Sequence, residues 1–146
     1  DIKVPAGVSN GNYMSIDGEG NQSVVGDRNG DLIVYFKEKE HQLFIRNGSD
    51  IYLAVFIGYH QAVMGTKVMV PTINGNVNLT VPKGIVSGQV VRIKGKGMPD
   101  PRRRLNGDQF VKINIITSDN KSRDFILLME KMKEILGDDI NCSKFE

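Results

Sequence analysis

Two segments of this 146-residue chain repeat one another at a fixed spacing of 77 positions. Residues 2–20 and residues 79–97 share a valine-proline pair and several glycines at matching places, and Asn29-Gly30-Asp31 recurs as Asn106-Gly107-Asp108. Glycine is the residue that tight turns most often require. A constant offset across turn glycines therefore indicates one supersecondary unit that is used twice.

Short apolar runs bounded by glycine, asparagine, aspartate and proline dominate the chain up to about residue 117. These runs are rich in β-branched residues, and their spacing is typical of a β-sandwich. We predict strands at residues 32–36, 51–57, 67–70, 76–81, 89–93 and 110–116. Together with the repeat, they predict a mostly β fold with two tandem, similar, β-sandwich-like domains and a C-terminal helix.

Turn residues mark where some of these strands end. Asn74-Gly75 lies between two apolar runs and predicts a hairpin with a type I′ turn, which needs positive φ at both central residues. Pro5 and Pro82 follow apolar residues, and proline donates no hydrogen bond to a sheet. Each proline is therefore expected to end a strand or to lie on a sheet edge.

Two helices are predicted. The short one covers residues 58–64 and ends at Gly65. The longer one runs from about Arg123 to Leu136, with Ser122 as its N-cap and Gly137 as its stop signal. Its apolar face comprises Phe125, Leu128, Met129, Met132, Ile135 and Leu136. This face can cover a sheet or pack against a second subunit, and the sequence favours the two interpretations equally.

The two copies differ in what precedes them. Residues 43–78, with two strands, a short helix and a hairpin, precede the second copy, whereas the first copy begins at Ile2. We therefore expect the first β domain to be truncated. The predicted divisions are 1–42 (second part of the first β domain), 43–118 (second β domain), 119–137 (helix) and 138–146 (polar tail).

One apolar face of the first repeat is a candidate binding surface. Ile2, Val4, Leu32 and Val34 alternate onto this face. Such a face is usually part of a core. In a truncated sheet it can instead form an apolar groove that is open to a peptide.

Composition argues against several other kinds of site. A net charge of +2 favours neither nucleic acid nor an anionic membrane as a partner, and the apolar runs are too short to span a bilayer. The single cysteine, Cys142, leaves no disulfide or Cys-based zinc set, and neither His41 nor His60 has metal-ligand spacing. The loop Pro101-Arg-Arg-Arg104 could contact an anion or nucleic acid, but without interleaved aromatic residues it is interpreted as a solvated loop tip. We predict a non-enzymatic protein without a cofactor of its own, in an intracellular location, cytoplasmic or organellar.

An ordered set of short motifs resembles the C-terminal region of the DnaJ-type co-chaperones, the heat-shock J-domain proteins of the 40-kDa class. The motifs lie at residues 4–8 (Val-Pro-Ala-Gly-Val), 18–20, 30–32, 44–50, 62–65, 70–75, 81–82, 94–98 and 107–108. Each motif alone is weak, but their order and spacing from Ile2 to about Leu136 make the set specific. The Pro-Ala-Gly-Val and Val-Pro-Thr stretches are most similar to zinc-containing bacterial or organellar members.

The resemblance implies a function in protein folding. It implies binding of unfolded client polypeptides, homodimerisation, and work with a DnaK-type ATPase chaperone through a J-domain that is missing here. It also implies a zinc region upstream of this chain, and a client groove that binds weakly because some of its walls lie before Asp1. The implied client-binding residues are Ile2, Val4, Leu32 and Val34. The implied dimerisation residues are Phe125, Leu128, Met129, Met132 and Leu136.

Two rival functions are weighed against this one. The first is a tandem β-sandwich module that binds peptide or carbohydrate and is unrelated to chaperones; the absence of tryptophan and the presence of only four tyrosines give it little support. The second is a catalytic β domain, which the lack of any acid/base or metal cluster disfavours.

Overall fold

The structure is a computed structural model that describes residues 2–22, 26, 28–100 and 105–137. Its elements are β1 (Tyr13–Ile16), β2 (Leu32–Tyr35), β3 (Ile45–Asn47), β4 (Asp50–Gly58), α1 (Tyr59–Met64), β5 (Thr66–Thr72), β6 (Gly75–Val81), β7 (Val90–Ile93), β8 (Pro99–Asp100), β9 (Leu105–Asn106), β10 (Gln109–Ile116) and α2 (Arg123–Leu136). The mostly β fold class with one C-terminal helix is confirmed. The predicted loop tip at 101–104 and the polar tail at 138–146 with Cys142 lie outside the described residues.

A four-stranded sheet in the order β3-β4-β10-β7 forms one layer of the second repeat. β10 runs parallel to β4 and antiparallel to β7, and β3 is antiparallel to β4. Side chains alternate across a strand, and the buried apolar ones here are Ile51, Leu53 and Ile57 on β4 and Val111 and Ile113 on β10. One face of this sheet is therefore the core face.

The opposing layer consists of the β5–β6 hairpin and the short helix α1. Ala62 of α1 and Val70 of β5 pack in one cluster with β4 and β10. Gln109 is fully buried, and its Nε2 donates a hydrogen bond of 2.8 Å to the Pro71 carbonyl, which joins the two layers. The core comprises Leu53, Ile57, Ala62, Val70, Leu79, Val81, Ile85, Val111 and Ile113. This packing is β-sandwich-like, as the sequence predicts.

The hairpin turn lies one residue earlier than predicted. β5 and β6 pair with Thr72 opposite Gly75, so the turn is centred on Ile73 and Asn74, and Gly75 is the first residue of β6 with φ 99°. The Thr72 hydroxyl donates to the Gly75 carbonyl at 2.7 Å and accepts from the Asn74 amide at 3.3 Å. The hairpin itself is confirmed, and the positive φ that glycine supplies is needed at its strand end.

The structure confirms the internal repeat at the level of strand register. In the first repeat, Ile16 pairs with Leu32, and in the second Ile93 pairs with Gln109, each shifted by the same 77 positions. Turn hydrogen bonds recur as well. Gly20 donates to the Gly30 carbonyl at 2.6 Å, and Gly97 donates to the Gly107 carbonyl at 2.8 Å. β1–β2 and β7–β10 are therefore equivalent strand pairs.

Some elements differ from the sequence predictions. Strand β1 was not predicted, although its copy β7 was, and the 77-residue offset would have located it. Pro82 directly follows strand β6, as predicted, but the described residues before Pro5, at 2–4, form no strand. Because residues 1–116 form one compact unit, the predicted domain boundary at residue 42 remains a prediction.

The C-terminal helix agrees with its predicted ends. The Ser122 hydroxyl accepts a hydrogen bond from the Phe125 amide at 3.3 Å, and Gly137 at φ 74° donates its amide to the Lys133 carbonyl. These are the side-chain cap at the N-terminus and the glycine stop at the C-terminus. The helix lies in a compact unit of its own that begins at Thr117.

Candidate functional site

The β1–β2 pair carries an apolar face built from four side chains. Met14 is opposite Val34 and Ile16 is opposite Leu32, and directly opposed residues point to the same side of a sheet. Three of the four are half-buried, and Leu32 is 39% exposed. The predicted residues Leu32 and Val34 are thus brought together, and Met14 and Ile16 extend their face.

The other two predicted client-binding residues are placed differently. Ile2 and Val4 lie in irregular chain before the turn at Gly7 and are 45% and 52% exposed. They do not continue the β1–β2 sheet as a strand. Their alternation in the sequence therefore does not correspond to a shared strand face.

The repeat shows whether the equivalent positions are buried or exposed in the second β unit, the predicted second β domain at 43–118. The residues 77 positions after Ile2, Val4, Leu32 and Val34 are Leu79, Val81, Gln109 and Val111. All of these are buried. The face that carries Leu32 and Val34 is therefore the face that forms the core in the second repeat. An apolar face at these positions is compatible with both interpretations, a core face and an apolar groove that is open to a peptide.

A depression of about 350 Å³ lies at one end of the β1–β2 pair. It is lined by Pro5, Val8, Gly11, Asn12, Tyr13, Met14 and Phe36, and none of the four predicted residues is among them. Sequence reasoning missed Met14, Ile16 and this lining. The offset from the predicted strand at 89–93 is the signal that would have found them.

Helix α2 exposes the predicted dimerisation face. Phe125 and Met132 are half-buried, whereas Leu128, Met129 and Leu136 are exposed, and no described residue of the helix is buried. Ile126 and Leu127 are also exposed, although they lie off the predicted face. A helix with so much uncovered apolar surface is typical of a segment that packs against a partner.

The carboxylate of Asp108 stabilises the turn between β7 and β10 in the second repeat. The Asp108 carboxylate accepts a hydrogen bond of 2.7 Å from the Gly95 amide, and it forms an ion pair of 2.7 Å with Arg92. The Gly95 hydrogen bond is the main cause that lowers the pKa of the Asp108 carboxyl below its ordinary value of 3.8, and the positive charges of Arg92 and Lys94 lower it further. In the first repeat, Asp31 makes the same contact with Gly18 at 3.2 Å, but Ser15 stands in place of the arginine.

The contacts of the Asp108 carboxylate predict a pH-dependent contribution to stability. Because folding lowers the pKa of Asp108, its contribution is present above the unfolded pKa of about 4 and is lost as the pH falls through the lower folded value. We expect Asp108→Asn to lower the Tm by a few degrees at pH 7, and the difference from the parent to vanish toward pH 2. Calorimetry from pH 2 to pH 7 measures both, with Asp31→Asn as the arginine-free control. A difference that stays constant with pH would contradict the prediction.

The described residues give little support for a metal site, a catalytic histidine or a membrane span. Among the residues that the structure describes, no cluster of three or more His, Cys, Asp or Glu side chains is arranged to hold a metal ion. His41 accepts hydrogen bonds at Nδ1 from the Leu43 and Phe44 amides and stacks on the Phe44 ring, so its role is local and structural. No helix within the described ranges has the length and apolar character needed to cross a membrane.

Comparisons with known proteins identify relatives of the chain. The family model for the DnaJ C terminal domain matches residues 1–118. "Chaperone protein DnaJ" of Acholeplasma laidlawii is 44% identical over 135 residues, which are 92% of this chain and 37% of that protein. The proteins of the same name from Chlorobaculum tepidum and Natronomonas pharaonis are 43% and 37% identical, over 89% and 98% of this chain and 33% and 38% of their own lengths. The chain thus spans between 33% and 38% of the length of these relatives.

Proposed function

Since the chain belongs to the DnaJ C-terminal domain family, we propose that it binds extended apolar segments of unfolded polypeptides and pairs with a second copy of itself. In this proposal it is a non-enzymatic part of a DnaJ-type co-chaperone that acts with a DnaK-type ATPase chaperone in protein folding. The sequence carries no His-Pro-Asp motif, so contact with the ATPase is assigned to a J-domain elsewhere in the co-chaperone. A zinc region elsewhere in the co-chaperone also stays a prediction.

The observation that carries the client-binding proposal is the apolar face of the β1–β2 pair. β1 and β2 form a two-stranded sheet with side chains of Met14, Ile16, Leu32 and Val34 on one side. An extended peptide can add to the edge of such a sheet through backbone hydrogen bonds, which tolerate many sequences. Its apolar side chains would then contact Leu32 and Val34, with Ile2 and Val4 as flanking contacts.

The size of the face favours weak and reversible binding. Burial of one leucine-sized side chain contributes roughly 1.5–3 kcal/mol. A face of four apolar residues offers room for one or two such side chains, and part of their free energy is offset by the ordering of the peptide. Weak contact at each face suits a protein that must release its client to a partner chaperone.

Dimerisation through α2 would compensate for weak contact at each face. The apolar face of the helix comprises Phe125, Leu128, Met129, Met132 and Leu136, and it supports a helix–helix contact between two copies. Two copies of the client-binding face on one dimer would raise the apparent affinity for a long client by effective concentration.

Two charge substitutions on the same strand test the client-binding face. Val34→Asp places a carboxylate on the apolar face of β2, whereas Ile33→Asp places one on the opposite face, where Ile33 is 51% exposed. Loss of one apolar contact predicts roughly 10- to 150-fold weaker binding for Val34→Asp and less than about a twofold change for Ile33→Asp. Fluorescence anisotropy with a labelled ten-residue apolar peptide measures both.

The outcomes separate binding from folding. Calorimetry and amide NMR spectra report whether each variant retains the β1–β2 pair. Equal binding by Val34→Asp and the parent would exclude this face. Weaker binding only by Ile33→Asp would place the client on the opposite side of the sheet, beside Tyr13 and Tyr35. Loss of β1–β2 resonances in Val34→Asp alone would instead support the core interpretation.

A further inference from the structure

The side chain of Arg46 joins the two repeats across a long stretch of sequence. Arg46 lies on β3, the edge strand of the four-stranded sheet. Its Nη2 donates to the Gly7 carbonyl at 2.9 Å and its Nη1 donates to the Val8 carbonyl at 2.8 Å, across separations of 39 and 38 residues. Both acceptors belong to the first turn of the first repeat.

The remaining donors of the guanidinium fix its direction. Nε donates to the Gly48 carbonyl at 2.7 Å, within the β3–β4 turn of the second unit. Nη1 also contacts Glu38 Oε1 at 3.2 Å, in the connection between the repeats. The Arg46 side chain is only 14% exposed and Glu38 is 39% exposed, so the carbonyl contacts are more shielded from water than the ion pair.

The geometry suits arginine in particular. A guanidinium is planar and presents its donors in a rigid fork, so it can hold two neighbouring carbonyls and a third behind it at once. An ammonium group is a point charge on a flexible stem and cannot keep all three directions. Charge-assisted hydrogen bonds of this kind are also stronger than neutral ones.

The connection between the repeats has no regular secondary structure of its own. Residues 37–44 form neither helix nor strand. The β1–β2 pair and the four-stranded sheet are separate sheets that share no strand. Hydrogen bonds from one edge-strand side chain to the backbone of the other repeat therefore have a large influence on the angle between them.

We propose that Arg46 is a positioning residue that sets the orientation of the first repeat relative to the second β unit. It does so by holding the carbonyls of Gly7 and Val8 against the β3–β4 turn. A further consequence rests on the proposed function: the same contact sets the distance between the β1–β2 face and exposed apolar residues of the second β unit, such as Phe56 and Met69, so that one extended client can bridge them.

Distance measurements on the full chain test the orientation directly. Spin labels at Asn10→Cys and Lys67→Cys, in a Cys142→Ser background, report the distance between the repeats by pulsed electron resonance. We expect Arg46→Ala to broaden this distance distribution at least about twofold. Arg46→Lys is expected to broaden it to an intermediate extent, because the lysine can reach one carbonyl at a time.

Two controls make each outcome decisive. Glu38→Gln removes the ion pair but leaves the carbonyl contacts, and it should leave the distribution unchanged. A second label pair, Lys67→Cys with Lys112→Cys, lies within the second unit and should not respond to Arg46→Ala. An unchanged inter-repeat distribution in Arg46→Ala overturns the proposal. Equal broadening within the second unit, or broadening by Glu38→Gln as large as that by Arg46→Ala, also overturns it.

The effect of Arg46 on client binding is measured with one long and one short apolar ligand. A permanently unfolded, carboxymethylated polypeptide should bind Arg46→Ala at least about threefold more weakly than the parent, whereas a ten-residue apolar peptide should bind both equally. If neither probe binds the parent, the proposed function fails while the distance measurement still decides the role of Arg46. If both probes weaken equally, Arg46 acts on the face itself rather than on the orientation.

Discussion

Gly97→Ala is expected to lower the free energy of unfolding of the second β unit by roughly 3 kcal/mol, with a fall in Tm of about 10 °C. A Cβ atom at this position would contact the Ser49 carbonyl oxygen and would lie 2.5 Å from the Gly107 carbonyl carbon and 2.7 Å from the Asp108 nitrogen. All three are backbone atoms of the β3–β4 turn and of the connection into β10. They cannot move aside as a flexible side chain would, so the turn or the sheet must shift. Urea unfolding followed by circular dichroism measures the loss.

A neighbouring glycine provides the matched control. Gly95 has φ 70°, and a Cβ there would meet nothing within 4 Å, so Gly95→Ala introduces only backbone strain of about 1–2 kcal/mol. The two variants differ by two positions in the same turn. Equal losses of stability would show that the close contacts around Gly97 do not control the fold. The requirement recurs in the first repeat, where a Cβ on Gly20 would lie 2.6 Å from the Asp31 carbonyl oxygen.

Met132→Asp is expected to abolish the proposed dimer of the chain and to leave a monomer of 16.2 kDa. Met132 lies near the middle of the α2 face, and an aspartate there would have to lose its hydration on association without a partner charge. Burial of an unpaired carboxylate costs several kcal/mol, which predicts an increase in the dimer dissociation constant of about 100-fold or more. Size-exclusion chromatography with light scattering measures the mass at several concentrations.

The control for the helix uses a charge on another side of it. Leu127 is 53% exposed and lies off the predicted face, so Leu127→Asp should retain the dimer. Circular dichroism verifies that both variants keep the helix, since aspartate lowers helix propensity at either position. A parent that is monomeric at all concentrations, or a Met132→Asp variant that remains dimeric, would contradict the assignment of this face.

Strong local signals made most of the fold predictable. β4 and β10 are recognisable as strands because each is a short apolar run, rich in β-branched residues and bounded by turn residues. The ends of α2 are marked by a serine cap and a glycine stop. β1 carries a tyrosine, a methionine and a serine, and its local pattern is too weak to identify a strand of four residues. β1 is stabilised as a strand by its pairing with β2, and this contact between distant residues has no signal in the local sequence.

The candidate site was less predictable for two physical reasons. Alternation placed Leu32 and Val34 on one face correctly, but period-2 reasoning holds only inside a strand, and Ile2 and Val4 are not in one. The contacts of Arg46 had no sequence signal, because its distant acceptors are backbone carbonyls that any residue supplies. Such contacts depend on where the folded repeats meet.

The shared register of the two strand pairs gives the chain an internal homologue. Matched positions of the two strand pairs present two amino acids in the same register, as Ser15 and Arg92 do beside Asp31 and Asp108. Exchanging such residues between the copies is a form of consensus engineering that needs no second protein. The direction in which each exchange changes stability would also show which copy has been adapted for binding at the expense of its own packing.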